Sequence, residues 1–103
     1  MKTILCNAFS INMLNADVEV SFTRITNPGE LLDHGFESAV GHADTAAVFS
    51  SELGLAVPAN RATVALDKET MLVVGQYKGP RLTEGATKLP DGAVIEWWAV
   101  TTL

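Results

Sequence analysis

Gly41-His42-Ala43-Asp44-Thr45-Ala46-Ala47-Val48-Phe49-Ser50-Ser51-Glu52-Leu53-Gly54 is the stretch whose reading decides the fold. It carries Ala46, Ala47, Val48, Phe49 and Leu53 between two glycines. Gly41 breaks the chain ahead of it and Gly54 offers a C-terminal stop, so a helix is expected from near His42 or Asp44 to Gly54. Just before it, Glu30 to Val40 bears Leu31, Leu32, Phe36, Ala39 and Val40 and reads as a second helix, with Gly35 weakening its middle.

Outward from these helices the chain becomes strand-like. Thr3 to Cys6 is a short apolar run and reads as a buried strand. Ser10 is placed to cap a helical turn over Ile11 to Leu14. Val18, Val20 and Phe22 alternate with Glu19, Ser21 and Thr23, which predicts a strand from about Asp17 to Thr26, stopped by Asn27-Pro28-Gly29. On the other side, Leu55 to Asn60 is a connection. Arg61 to Leu66 and Met71 to Tyr77 read as strands joined through Asp67-Lys68-Glu69-Thr70 as a hairpin loop. Lys78 to Gly85 is a long loop, Pro90-Asp91-Gly92 a turn, and Ala93 to Thr101 the last strand. Helices between strand-rich ends predict an α/β fold: one domain over residues 1–103, a mixed five-stranded sheet flanked by helices.

Composition sets the outer limits. A chain of 103 residues has room for one core, burying roughly 65% of its unfolded surface. Hydrophobic residues at 48% and charged residues at 18% exclude intrinsic disorder. The mean hydropathy of +0.22 hints at apolar surface kept for a partner, such as another copy of the chain. A net charge of −5 disfavours sequence-independent binding to duplex DNA. The single cysteine, Cys6, has no internal partner, which fits a reducing compartment. No stretch reaches the length of a membrane span and no signal-peptide core forms after Met1-Lys2, so a cytoplasmic address is expected.

The chemistry-bearing residues are few. His34 and His42 are the only histidines, and no metal-ligand spacing exists, so a metal enzyme is disfavoured. His42 follows Gly41 at a helix start, where free amides and the helix dipole welcome an anion and make an imidazolium a readier proton donor; it can equally be a cap or packing residue. Arg61 at a strand start and Arg81 in a Gly/Pro-bounded loop offer guanidinium forks to phosphate oxygens, or else form ordinary surface ion pairs. Asn7, Ser10 and Asn12 follow the first strand, at the end where α/β sheets place ligands, although turns and caps use the same residue types. Trp97 and Trp98, adjacent in a strand, must face opposite sides. Cys6 lies inside a strand and is expected to be inert.

Four segments resemble one known family. They are Asn7-Ala8-Phe9-Ser10-Ile11-Asn12-Met13-Leu14, Ser38-Ala39-Val40-Gly41-His42-Ala43-Asp44-Thr45, Asn60-Arg61, and Arg81-Leu82-Thr83-Glu84-Gly85. In this order and spacing they are similar to the viral ring nucleases, anti-CRISPR proteins acting against type III systems. The chain departs from that pattern in the short Ala86 to Gly92, where the family usually has a longer helix.

The resemblance implies a homodimer that cleaves cyclic tetra-adenylate, a defence second messenger, without metal or other cofactor, in the cytoplasm of the host cell if the protein is viral. It implies catalytic roles for His42 and Glu84, and ligand-holding roles for Asn7, Ser10, Asn12, Arg61 and Arg81. Two rival readings stand beside it. One is a non-catalytic protein that sequesters a cyclic oligonucleotide; the other is an interaction protein presenting Trp97 and Trp98 to a partner.

Overall fold

A computed structural model describes residues 1–103. The elements in chain order are β1 (Lys2–Cys6), a 3-10 turn (Ile11–Met13), β2 (Val20–Ile25), α1 (Pro28–Leu32), β3 (Glu37–Ser38), α2 (Ala43–Leu53), β4 (Thr70–Lys78) and β5 (Val94–Thr102). They form a mixed sheet of five strands in the order β2-β5-β4-β1-β3. β1 lies parallel to both β3 and β4, whereas β5 is antiparallel to β4 and to β2. The expected α/β class and mixed five-stranded sheet are thus found.

β1 is apolar from Ile4 to Cys6, where it is covered on both faces. Leu5 points to one side, joining Val73, Val40, Ala46, Phe49 and Leu32 in a core beneath α2. Ile4 and Cys6 point to the other, joining Leu72, Val74, Val100 and Leu66. That second face has no helix. The turn at Ile11–Met13 and the extended segment 61–66 cover it instead, tied by the Leu66 amide donating to the Met13 carbonyl at 2.8 Å. Trp97 packs on Phe49 with ring centroids 5.0 Å apart, and Trp98 lies on the opposite face beneath the Arg24 guanidinium.

α2 follows the sequence closely. His42 is its N-cap, and Gly54 ends it in the left-handed conformation at φ 68°, where a side chain would be strained.

Two expected elements are corrected. Glu30 to Val40 is not one helix: α1 stops at Leu32, Gly35 turns the chain at φ 107°, and Glu37–Ser38 pairs with Ile4 and Leu5 as β3. Gly35 therefore reverses the chain rather than weakening a helix, and sheet pairing outweighs helical propensity for the residues after it. Arg61 to Leu66 is extended but joins no ladder, because β3 occupies the free side of β1. Its alternation is real, with Leu66 buried and Val64 half-buried between exposed neighbours, but it records contact with the sheet face rather than strand pairing. The sheet has the expected number of strands with one member exchanged. Without a hairpin, Asp67 to Thr70 forms a turn leading into β4, in which Asp67 Oδ1 accepts from the Glu69 amide at 2.9 Å and from the Thr70 hydroxyl at 2.8 Å. β2 is shorter than Asp17 to Thr26.

No helix is long and apolar enough to cross a membrane.

Candidate functional site

The three parallel strands β1, β3 and β4 share a carboxyl end, the edge at which open α/β sheets bind ligands. The chain leaves β3 there through Ala39, Val40 and Gly41 to reach the first turn of α2. The Ala39 amide donates to the Leu5 carbonyl at 2.8 Å, and the Asn60 amide to the Val40 carbonyl at 2.7 Å, fixing this passage. Asn60 also donates its side-chain Nδ2 to the Ser38 carbonyl at 2.7 Å. His42 then caps α2 through its backbone, its carbonyl accepting from the Ala46 amide at 3.0 Å. The imidazole makes no capping bond and is exposed, so it is available for chemistry.

Beside it lies an open concavity of about 520 Å³ lined by His42, Asp44, Thr45, Tyr77, Gly79, Arg81 and Leu82. His42 and Arg81, 39 positions apart in sequence, thus meet across one cavity. Arg61 approaches from a third direction. A Cβ built on Gly41 would stand 3.6 Å from Arg61 Nε and 3.8 Å from Arg61 Cα, so the arginine runs past the glycine that precedes His42.

The chain's three ion pairs are Lys2–Glu37, Arg24–Glu96 and Lys78–Glu96. Neither Arg61 nor Arg81 takes part in them, so ordinary surface pairing does not account for these two residues. Two unpaired guanidinium groups beside the amino end of α2 make a local positive field in an acidic protein.

The remaining expected residues lie around this centre rather than in it. Glu84 is exposed and does not line the concavity, although its neighbour Gly85 donates its amide to Asp44 Oδ1 at 3.1 Å. Asn7 follows β1 at the same carboxyl edge, half-buried. Ser10 is the N-cap of the 3-10 turn, its hydroxyl accepting from the Asn12 amide at 3.3 Å, and Asn12 is exposed within that turn. Asn7, Ser10 and Asn12 do not line the concavity. His34 is exposed beyond α1.

Tyr77, which sequence reasoning passed over, lines the concavity from the end of β4. Its signal was positional, as the last aromatic before the Gly79-Pro80 break.

The opposite end of the sheet is a useful contrast. A concavity of about 450 Å³ at the amino ends of the same strands is lined by Glu37, Asp67, Glu69 and Lys2. Three carboxylates against one ammonium suit no polyanion. No three His, Cys, Asp or Glu side chains converge anywhere as a metal site. Burial pushes the Cys6 thiol up to about 11, outweighing a backbone hydrogen bond at Ala8 that acts the other way.

Fold and site together define a small mixed-sheet α/β protein that presents one histidine and two free arginines at the carboxyl edge of its parallel strands. The chain belongs to the STIV B116-like family, whose model it matches over residues 3–93. Among solved structures it is similar to B116 of Sulfolobus turreted icosahedral virus, with a TM-score of 0.79 and 25% sequence identity, covering 98% of this chain and 99% of that one. No curated protein matches the sequence.

Proposed function

We propose that the protein is a metal-independent ring nuclease that opens cyclic tetra-adenylate. The observation that carries this reading is the meeting of the exposed His42 imidazole with Arg81 across one open cavity, with Arg61 passing beside Gly41.

RNA brings its own nucleophile. The 2′-hydroxyl oxygen attacks the adjacent phosphorus, the bond from phosphorus to the 5′-oxygen breaks, and a 2′,3′-cyclic phosphate is left on a linear product. The enzyme has three tasks. It aligns the attacking oxygen with the leaving one, which is worth up to about 7–11 kcal/mol in ideal cases. It steadies the charge gathering on the phosphate, a task for Arg61, Arg81 and the amides at the start of α2. It protonates the departing 5′-oxygen, a task for His42 as imidazolium. Glu84, three residues after Arg81 on the same segment but outside the cavity lining, would have to reach the bound ring to take up the 2′-hydroxyl proton. Asn7, Ser10 and Asn12 would hold ligand at the rim. A homodimer suits a four-fold ring, because its two equal sites can each cut one of two opposite linkages.

The test is incubation of the purified protein with labelled cyclic tetra- and hexa-adenylate in the presence of EDTA, followed by product analysis. Linear products ending in 2′,3′-cyclic phosphate are expected. His42→Ala should retain binding and lose about 10²–10⁴-fold in cleavage rate. Full activity in that variant, or activity abolished by the chelator, would overturn the reading. The exposed position of Glu84 outside the cavity favours one alternative, a sequestering protein, for which calorimetry shows tight binding while the ring stays intact.

A further inference from the structure

The segment that carries Arg81 and Glu84 leaves β4 and crosses to the first turn of α2, and it is fastened at both ends. At the β4 end the Tyr77 hydroxyl donates to the Pro80 carbonyl. Between them the chain is pressed tight: a Cβ on Gly79 would stand 2.5 Å from Ala93 Cβ and 3.0 Å from the Tyr77 hydroxyl oxygen. At the far end the Gly85 amide donates to Asp44 Oδ1 at 3.1 Å. Asp44 lies two residues after His42 in the opening turn of α2.

The segment contributes no residue to either core; Arg81, Thr83, Glu84 and Gly85 are exposed, and Leu82 between them is half-buried. A surface loop whose one apolar anchor, Leu82, is only half-buried has little packing to hold it and ordinarily moves freely. Here two side chains that also line the His42 cavity hold it down.

Resting on the ring-nuclease reading, the geometry points to Tyr77 and Asp44 as a pair of positioning residues, clasps that set Arg81 and Glu84 at a fixed reach from His42. Neither donates a proton to the substrate or takes one from it. Their effect passes through the segment they hold, where a displacement of about 1 Å costs on the order of 10²-fold in rate.

Three variants test this: Asp44→Ala, Asp44→Asn and Tyr77→Phe. In ligand-free protein, Asp44→Ala should speed hydrogen exchange at the Gly85 amide about five- to tenfold, the worth of one hydrogen bond. Asp44→Asn keeps an accepting oxygen and should preserve the protection, with a kcat on cyclic tetra-adenylate well above that of Asp44→Ala. Tyr77→Phe keeps the ring and loses the donor, and should raise the rate of tryptic cleavage after Arg81. Asp44→Ala and Tyr77→Phe should each lower kcat with little change in ligand Kd. Asp44→Asn falling as far as Asp44→Ala would overturn the proposal, since charge would then matter rather than the clasp. Unchanged Gly85 exchange in Asp44→Ala, or faster exchange with unaltered kcat, would overturn it too. If the wild-type protein protects Gly85 yet leaves the ring intact, the nuclease reading fails and the positioning role with it, while the clasp itself stands.

Discussion

His42 owes its availability to the residue before it. Gly41 lets the chain pass against Arg61 and enter α2 with the histidine as backbone cap, leaving the ring unused. A histidine next to a glycine break was visible in the sequence for that reason. Cys6 is the opposite case, sealed in the core against Ile4, Leu72 and Val74. With its thiol near 11 in the fold and 9.0 as the reference, the folded state holds the proton more tightly. The stability this contributes is fully present below pH 9 and is lost as pH rises toward 11, a loss of about 2–3 kcal/mol. Urea midpoints measured across that range should fall more steeply for the wild-type protein than for Cys6→Ala. Other residues were less legible. Ser10 is a cap, one of the two roles its residue type allowed, and no spacing rule could have chosen between them. Tyr77 was silent because tyrosine is an ordinary strand residue. Only its hydroxyl's bond to Pro80, formed across a turn, sets it apart.

Among the elements, one tight joint is where α2 crosses β4 and β5. A Cβ on Gly75 would stand 2.6 Å from the Trp97 ring and 2.7 Å from that of Phe49, so β4 must give up a side chain there to let the two rings meet. Gly75→Ala should destabilise the protein by about 1–3 kcal/mol through overpacking. Equilibrium denaturation measures this, and an unchanged midpoint would mean the rings can move aside. α2 itself was readable, since an apolar run closed by Gly54 leaves little choice. β3 was not. Two residues carry no periodicity, and what makes Glu37–Ser38 a strand is the free side of β1, which only the folded sheet supplies. The segment 61–66 failed in the converse way, since a one-sided alternating pattern states which residues face inward and says nothing of where the backbone hydrogen bonds go.

At the scale of the molecule, the two ends of the parallel strands are chemically opposite, with carboxylates around Lys2 at one and free guanidinium groups around His42 at the other. The chain nevertheless carries a net −5. On the ring-nuclease reading, a ligand with four phosphodiester charges would be repelled at long range and attracted at short range. The Debye length shrinks from about 30 Å at 10 mM salt to about 8 Å at 150 mM. Salt therefore removes the repulsion before it weakens the contacts. The association rate of cyclic tetra-adenylate should rise several-fold over that interval, as stopped-flow mixing would measure. A monotonic fall would mean that the local cations govern encounter from the outset.

The neighbouring tryptophans of β5 have a practical consequence. Because one indole lies against Phe49 under α2 and the other beneath Arg24 on the helix-free side, the protein carries two native indole fluorophores on opposite flanks of one slab. Replacing either with phenylalanine leaves a single tryptophan, which excitation at the red edge of indole absorption reads apart from Tyr77. Quenching and lifetime would then follow each flank in turn, with no dye attached.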